Sequence, residues 1–157
     1  MVFRSRPLCR AGTTTLFYTG DYEQQLADAA WYGNAEGHVS KQTALKQPNA
    51  FGLYDMHGNV YEWVHDAFRQ DWYESLIGPA AVDPRCDVAS EGKRIVRGGD
   101  YGFSAAEVRS ASRDAYNYDS LWWDAGFRVA LSVEAVRDME AAAGRVLSQP
   151  GRVNEDE

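Results

Sequence analysis

The chain contains 157 residues with a formal net charge of −7, and 45% of its residues are hydrophobic and 13% aromatic. This length and apolar content predict a single domain with one hydrophobic core. The acidic balance lacks the basic surface that binding to a phosphate backbone requires, so we expect no nucleic acid partner.

The cysteine content and the N-terminal sequence bear on the compartment. Cys9 and Cys86 are too few for a disulfide scaffold and lack the paired spacing of a zinc site, so we expect free thiols, with one disulfide as the alternative. Residues 1–7 include basic side chains but precede no apolar signal-peptide segment, and no stretch approaches the length of a membrane span. The sequence therefore predicts no membrane contact and a cytoplasmic location, unless a partner carries the protein elsewhere.

Local patterns predict a loop-rich first half followed by short strands. Glycines punctuate the first fifty residues, where the helix candidate covers residues 22–30. Alternating or β-prone runs predict antiparallel strands at residues 60–64, 95–97, 109–113 and 127–131. In the last run Phe127, Val129 and Leu131 share one face, and we expect Phe127 to contribute to the core together with Trp63 and the 109–111 segment.

A helical pattern follows the last predicted strand. Ser132 can cap a helix that ends before Pro150-Gly151, and its apolar residues recur at helical spacing at Val133, Val136, Ala143 and Leu147. We therefore divide the chain into a domain of residues 1–131, a helix of residues 132–149 and a disordered tail of residues 150–157. The apolar stripe predicts that the helix packs on its own domain or on a second copy of the chain, which would make a homo-oligomer.

Several sequence blocks carry a family resemblance. Residues 48–63 read Pro-Asn-Ala-Phe-Gly-Leu-Tyr-Asp-Met-His-Gly-Asn-Val-Tyr-Glu-Trp, and the other blocks are Cys9-Arg-Ala-Gly-Thr-Thr-Thr15, Arg97-Gly-Gly99, Arg109-Ser-Ala111 and Gly126-Phe-Arg-Val129. In this order and spacing they resemble the formylglycine-generating enzyme and sulfatase-modifying-factor family over about residues 8–131. The resemblance implies a C-type lectin-like fold of the mixed α/β (α+β) class, loop-rich and with short antiparallel strands. Family domains carry a long segment before the first block. We therefore expect either a minimal version of that fold, or a fold in which the C-terminal helix or a partner chain supplies the packing surface of that segment.

The same resemblance argues against catalysis. Family enzymes bind copper through a cysteine pair shortly after the Arg-Gly-Gly turn, because thiolates are soft ligands. Here residues 100–108 read Asp-Tyr-Gly-Phe-Ser-Ala-Ala-Glu-Val, without sulfur. Related iron-dependent sulfoxide synthases use a histidine triad, and the three histidines of this chain, His38, His57 and His65, resemble a chance set more than a triad. We therefore predict that the protein is not an enzyme and needs no cofactor, with a metal-dependent oxidoreductase as the third-ranked alternative.

The segment between Gly99 and Gly126 has the composition of a binding surface. Its six aromatic residues alternate with glycine, serine, asparagine, aspartate and alanine, and they are Tyr101, Phe103, Tyr116, Tyr118, Trp122 and Trp123. Large rings supply contact area at small entropic cost, and small polar residues supply adaptable hydrogen bonds. Adjacent tryptophans cannot both face inward from one strand, so we expect the six rings to be accessible as one face. The alternative is that these rings pack the core.

This segment also resembles the variable region of diversity-generating retroelement proteins, which use the same fold. The resemblance lies in the order Arg-Gly-Gly, a first variable run, Arg-Ser-Ala, a second variable run and Gly-Phe-Arg. It implies a hypervariable-type surface that binds a protein or glycan ligand. The runner-up hypothesis is a catalytically inactive sulfatase-modifying-factor-like interaction domain. The predicted ligand-binding residues are Asp100, Tyr101, Gly102, Phe103, Ser104, Ala106, Ser112, Asp114, Ala115, Tyr116, Asn117, Tyr118, Ser120, Trp122, Trp123 and Asp124.

The Gly-Asn-Val-x-Glu-Trp block suggests one metal site. In the family this turn often coordinates calcium, and the matching positions are Gly58, Asn59, Val60 and Glu62. Backbone oxygens and a carboxylate suit a hard cation, although a single carboxylate implies modest affinity. The alternative is that Asn59 and Glu62 hydrogen-bond the turn without a metal.

Overall fold

A computed structural model describes residues 5–34, 37–72, 74, 76, 86–87, 91–129 and 135–141. The described residues fall into two compact units, one that ends at Arg128 and one that begins at Val129. All the strands of the described residues lie in the first unit, and two helices lie in the N-terminal half of that unit. None of the helices among the described residues is long and apolar enough to cross a membrane.

The N-terminal half of the first unit is loop-rich, as predicted. Helix α1 covers Ser5–Arg10 and was not predicted, whereas helix α2 covers Glu23–Leu26, a short part of the predicted segment 22–30. The Gln25 side chain accepts a hydrogen bond from the Tyr22 amide at 3.1 Å and so closes the start of α2. Leu26 is fully buried, which anchors this single turn of helix to the core.

Four short strands form one mixed sheet. Strands β1 (Tyr61–Ala67), β2 (Lys93–Arg97), β3 (Asp114–Asn117) and β4 (Ala125–Phe127) lie in the order β3-β2-β1-β4. The β1–β2 and β2–β3 pairs are antiparallel, whereas β4 runs parallel to β1. The predictions of strands at residues 60–64 and 95–97 are confirmed, and the expectation of antiparallel pairing is wrong for β4.

The other two strand predictions were misplaced. Residues 109–113 form turns and an irregular segment, and the strand begins only at Asp114. The Ser110 amide donates to the Leu16 carbonyl at 2.9 Å, and Arg97 Nη1 donates to the Ser112 carbonyl at 3.1 Å, so this segment joins the N-terminal half to β2 instead of entering a ladder. Of the predicted strand 127–131, Phe127 belongs to β4, residues 128–129 are irregular, and residues 130–131 lie outside the described residues.

The core lies between the N-terminal loops and the segment after the Gly98-Gly99 turn. Its buried members are Phe17, Leu26, Ala30 and Val108, and Tyr32, Phe103 and Ala105 pack against them. The expectation that Phe127 supplies the core is wrong, because its side chain is 78% exposed on the edge strand β4. Of the 109–111 segment only Ser110 is buried, and Trp63 is half-buried.

The turn at Gly58 and Asn59 joins the two halves of the domain. Gly58 adopts a φ of 70°, and a Cβ atom at this position would lie 2.0 Å from the carbonyl oxygen of Trp31. Its amide donates to the Gly98 carbonyl at 2.8 Å, and the Asn59 amide donates to the Trp31 carbonyl at 2.9 Å. The glycine is therefore required by both conformation and close backbone approach.

The second unit contains a helix at residues 135–141. This helix falls inside the predicted segment 132–149, and Val136 of the predicted apolar stripe is 38% exposed. Val133, Ala143, Leu147 and the predicted tail 150–157 lie outside the described residues. The packing of the helix on a domain or on a second copy stays a prediction.

Candidate ligand-binding surface

The predicted binding residues occupy three connected stretches: the loop after Gly99, the turn that leads into β3, and the β3–β4 loop. Most of them are solvent-accessible. The exposed ones are Gly102, Ser104, Ala106, Asp114, Asn117, Tyr118, Ser120, Trp122 and Trp123, and the half-buried ones are Tyr101, Phe103, Ser112, Ala115, Tyr116 and Asp124. Asp100 differs from the rest, because its side chain is only 5% exposed.

The six aromatic rings differ in how far they reach into solvent. Trp123 is 88% exposed, Tyr118 61% and Trp122 38%, whereas Tyr101, Phe103 and Tyr116 are half-buried. The prediction that the six rings are accessible as one face therefore holds only for Tyr118, Trp122 and Trp123, and Phe103 packs against the buried cluster. The surface therefore has exposed rings at the β3–β4 loop and partly embedded rings beneath them.

Tyr116 on β3 is the centre of an aromatic cluster. Its ring centroid lies 4.2 Å from that of Trp122, 5.3 Å from that of Tyr61 and 6.2 Å from that of Trp63. Tyr61 also contacts Phe103 at 5.5 Å. Sequence reasoning missed Tyr61 and Trp63 as members of the site, although their i, i+2 spacing on β1 places both on the same face of the sheet.

Polar contacts fix the loop that holds these rings. The Tyr116 hydroxyl donates to Asp124 Oδ2 at 3.0 Å, and Trp122 Nε1 donates to the Asn117 carbonyl at 3.0 Å. The Tyr61 amide donates to the Asp124 carbonyl at 2.8 Å, which ties the end of the loop to β1. These bonds orient Tyr116 and Trp122 before any ligand arrives.

Asp100 belongs to the framework and not to the exposed surface. Its Oδ1 accepts a hydrogen bond from the Gly102 amide at 2.5 Å. Burial raises the pKa of Asp100, the Gly102 amide acts in the opposite direction, and a hydrogen bond with the Asp124 carboxyl raises the pKa further. Asp100 therefore links the loop after Gly99 to the β3–β4 loop.

Two grooves adjoin β3. One has a volume of about 410 Å³ and a floor of Tyr61 and Phe103, with Glu107, Arg109 and Asp114 among its charged lining. The other has a volume of about 440 Å³ and is lined on its charged side by Lys93, Arg113 and Asp114. The predicted residues Phe103, Ala106, Ser112 and Asp114 all line the first groove, so the binding surface includes a concave part.

A buried Cys9-His57-Ser110 group lies in the interior. Cys9 Sγ lies 3.5 Å from Ser110 Oγ and 3.7 Å from His57 Nε2. Both imidazole nitrogens have backbone partners, because Nδ1 lies 2.7 Å from the Val108 carbonyl and Nε2 accepts from the Tyr18 amide at 3.2 Å.

The pKa shifts of His57 and Cys9 indicate that this group is structural. Burial lowers the pKa of His57 to about 4, against a smaller opposing effect of the Val108 carbonyl. Burial also raises the pKa of the Cys9 thiol. A neutral imidazole with both nitrogens engaged does not activate a neutral buried thiol, so these residues support the fold.

The residues predicted to bind calcium are engaged by the protein itself. Both oxygens of Glu62 accept from Arg128, at 2.5 and 3.0 Å, and Asn59 Oδ1 accepts from the Lys41 amide at 2.8 Å. Among the described residues, no group of three histidine, cysteine, aspartate or glutamate side chains could hold a metal ion. These contacts are those of a hydrogen-bonded turn, and calcium binding by Gly58, Asn59, Val60 and Glu62 stays a prediction.

These features define a C-type lectin-like domain with an aromatic loop surface. They are the mixed sheet, the loop-rich N-terminal half, and the segment from β3 into the β3–β4 loop that carries Tyr116 and Trp122. The chain belongs to the family of the sulfatase-modifying factor enzyme 1-like domain, whose model matches residues 9–133. This match extends from Cys9 through β4, so it includes the whole candidate surface.

The proteins to which the chain is similar include a protein kinase, a formylglycine-generating enzyme and a variable protein. It is 36% identical over 86 residues to the serine/threonine-protein kinase pkn1 of Chlamydia pneumoniae, which is 55% of this chain and 14% of that protein. It is 33% identical over 86 residues to the formylglycine-generating enzyme of Thermomonospora curvata, which is 53% of this chain and 28% of that enzyme. The solved structure of Treponema denticola variable protein 1 superposes with a TM-score of 0.66 and 28% identity, over 78% of this chain and 43% of that one. The matched region thus spans less than a third of these two curated relatives and less than half of the solved structure.

Proposed function

We propose that the protein is a non-catalytic ligand-binding protein of the diversity-generating retroelement variable type, with its recognition surface between Asp100 and Asp124. The observation that carries this proposal is the exposure of large rings on the β3–β4 loop, where Trp123 is 88% and Tyr118 61% exposed. Leaving such rings in water has a free-energy cost that a binding role explains. The fold shared with Treponema denticola variable protein 1 supports the proposal.

The scaffold beneath the surface fits such a role. Val96 of β2 and Val108 are fully buried, and they hold the backbone on either side of the candidate loops. The exposed side chains of the loops contribute little to this core, so substitutions there can change recognition while the domain stays folded.

Enzymatic catalysis is the less favoured alternative. The residues that follow Gly99 contain no cysteine, and Cys9 and His57 are both held neutral in the interior. A residual oxidoreductase requires a bound redox metal, so elemental analysis of the purified protein should show no stoichiometric copper or iron. Stoichiometric metal that persists after dialysis would favour the enzyme.

A fixed interaction domain is the runner-up within the binding class. It differs from a variable protein in one genomic observation, namely a reverse-transcriptase gene nearby with an imperfect repeat of the sequence that encodes about residues 98–128. Finding both would support the variable type, and their absence from the complete genome would favour the fixed domain.

The binding role itself is tested with a peptide library, a glycan array and a double variant of the candidate surface. The full chain is screened against a random peptide library and a glycan array, and the Tyr118→Ser/Trp123→Ser double variant is measured against the ligands obtained. We expect at least a tenfold loss of affinity, as for hot-spot aromatics. Phe51→Ser is the control, because Phe51 is 59% exposed but lies outside the candidate surface. Equal affinity of the wild type and the double variant would contradict the proposed surface.

A further inference from the structure

The segment from β3 through the β3–β4 loop contains acidic residues and no basic ones. Residues 114–124 contain the carboxylates of Asp114, Asp119 and Asp124 and no lysine, arginine or histidine. Asp114 and Asp119 are exposed and belong to none of the ion pairs found among the described residues. Asp124 is half-buried, and its Oδ2 accepts from the Tyr116 hydroxyl. The exposed rings thus share their segment with two exposed carboxylates.

The nearest basic residues on the neighbouring strand have other partners. Lys93 Nζ lies 3.1 Å from Glu91 Oε2, and Arg94 Nη1 donates to the His65 carbonyl at 2.9 Å. Neither cation is directed by these contacts to the acidic residues of the β3–β4 loop. Arg113 directly precedes Asp114 and lines both grooves with it, so Asp119 is the exposed carboxylate that an external cation can reach at the loop.

The electrostatics beneath the loop agree with this description. The pKa of Tyr61 is raised, first by burial and then by the carboxylates of Asp114, Asp100, Glu107 and Asp124. Burial and then the hydrogen bond to Asp124 likewise raise the pKa of Tyr116. Burial is the larger cause for both phenols, and the nearby carboxylates add to it.

The rings add a second attraction for positive charge. Trp122 is fixed against Tyr116 at 4.2 Å between centroids, and the adjacent Trp123 is 88% exposed. The face of an indole or phenol ring attracts lysine and arginine side chains, and the attraction grows where carboxylates lie beside the ring.

Resting on the proposed binding function, we propose that the ligand is a protein segment that presents a lysine or arginine side chain to the exposed rings and the Asp119 carboxylate of the β3–β4 loop. The basic side chain would lie against an exposed ring and pair with Asp119, because Asp124 is buried at Oδ1 and bonded to Tyr116 at Oδ2. Neutral and acidic glycans offer no such cation, so charge complementarity favours the protein ligand.

The test uses a random dodecapeptide library displayed on phage and panned on the immobilised full chain. We expect enrichment of lysine and arginine and depletion of aspartate and glutamate in the selected peptides. Synthetic copies of these peptides should bind the Asp119→Asn variant about three- to fivefold more weakly than the wild type and should lose affinity as salt is raised. The Phe51→Ser control should bind like the wild type, and a circular-dichroism melt verifies that each variant is folded.

The outcomes separate this inference from the proposed function. Selected peptides that are neutral or acidic, yet sensitive to Trp123→Ser, would overturn the inference and leave the binding surface in place. Binding to the glycan array without any enrichment of basic peptides would do the same. Peptides insensitive to both the aspartate and the aromatic changes would overturn the inference and the proposed function together.

Discussion

Val108 and Trp123 show how differently residues of the candidate segment are used. Val108 is fully buried and Trp123 is 88% exposed. Asp100 and Ser110 are also buried and hydrogen-bonded, so the segment contains anchors as well as free positions. The free positions can vary at little cost in stability, whereas the anchors hold the loops on the core.

This division predicts the outcome of melting experiments. Trp123→Ser and Tyr118→Ser should each lower the free energy of unfolding by no more than about 1 kcal/mol, because their rings are mostly exposed. Leu26→Ala is the matched core control and should cost about 2–5 kcal/mol, because Leu26 is fully buried. Denaturant melts measure both. Losses in the core range at Tyr118 and Trp123 would show that the aromatic loop is part of the core.

His57 predicts a pH dependence of stability. Its pKa in the folded protein is about 4, below the ordinary value of 6.5, so protonation favours the unfolded chain. The stabilisation by neutral His57 is fully present above about pH 6.5 and is lost as the pH falls towards 4, by about 3 kcal/mol in total. Nuclear magnetic resonance should show the His57 ring protons unchanged between pH 8 and about pH 5. A midpoint near 6.5 in the folded protein would contradict the buried neutral state.

At the scale of elements, short turns and not long strands organise the domain. The turn at Gly58 and Asn59 bonds to both Trp31 and Gly98, and so connects the N-terminal loops to the end of β2. The strands themselves are only three to seven residues long. Strand pairing alone is weak at these lengths, so the turn contacts contribute much of the architecture.

A pair of glycine variants tests the role of that turn. Gly58→Ala should lower the free energy of unfolding by at least about 3 kcal/mol, because a Cβ would lie 2.0 Å from the Trp31 carbonyl oxygen in addition to the strain of a φ of 70°. Gly52 is the matched control, since its φ is 73° but a Cβ would meet nothing within 4 Å. Gly52→Ala should therefore show only the conformational cost of about 1–2 kcal/mol. Equal losses in thermal or denaturant melts would mean that the contact with Trp31 is unimportant.

At the scale of the whole molecule, the net charge of −7 and the acidic β3–β4 loop act in the same direction. Long-range attraction of a basic ligand and local pairing with Asp119 would reinforce each other. The sheet has two edge strands, and β3 and β4 carry or flank the candidate loop. We therefore expect recognition at this region of the domain, whereas Cys9 and His57 are buried in its interior.

The sequence by itself determined the family, strands β1 and β2, and the exposure of Tyr118, Trp122 and Trp123, because each is encoded in local residue order or alternation. Only the tertiary structure decided that β4 pairs in parallel with β1, that Phe127 is exposed, that Asp100 is buried, and that Tyr61 and Trp63 join the aromatic cluster. These features depend on contacts between distant residues, such as the bonds from Ser110 to Leu16 and from Tyr61 to Asp124. A local pattern specifies which side chains share a face, but the partner of that face is selected by the packing of the whole chain.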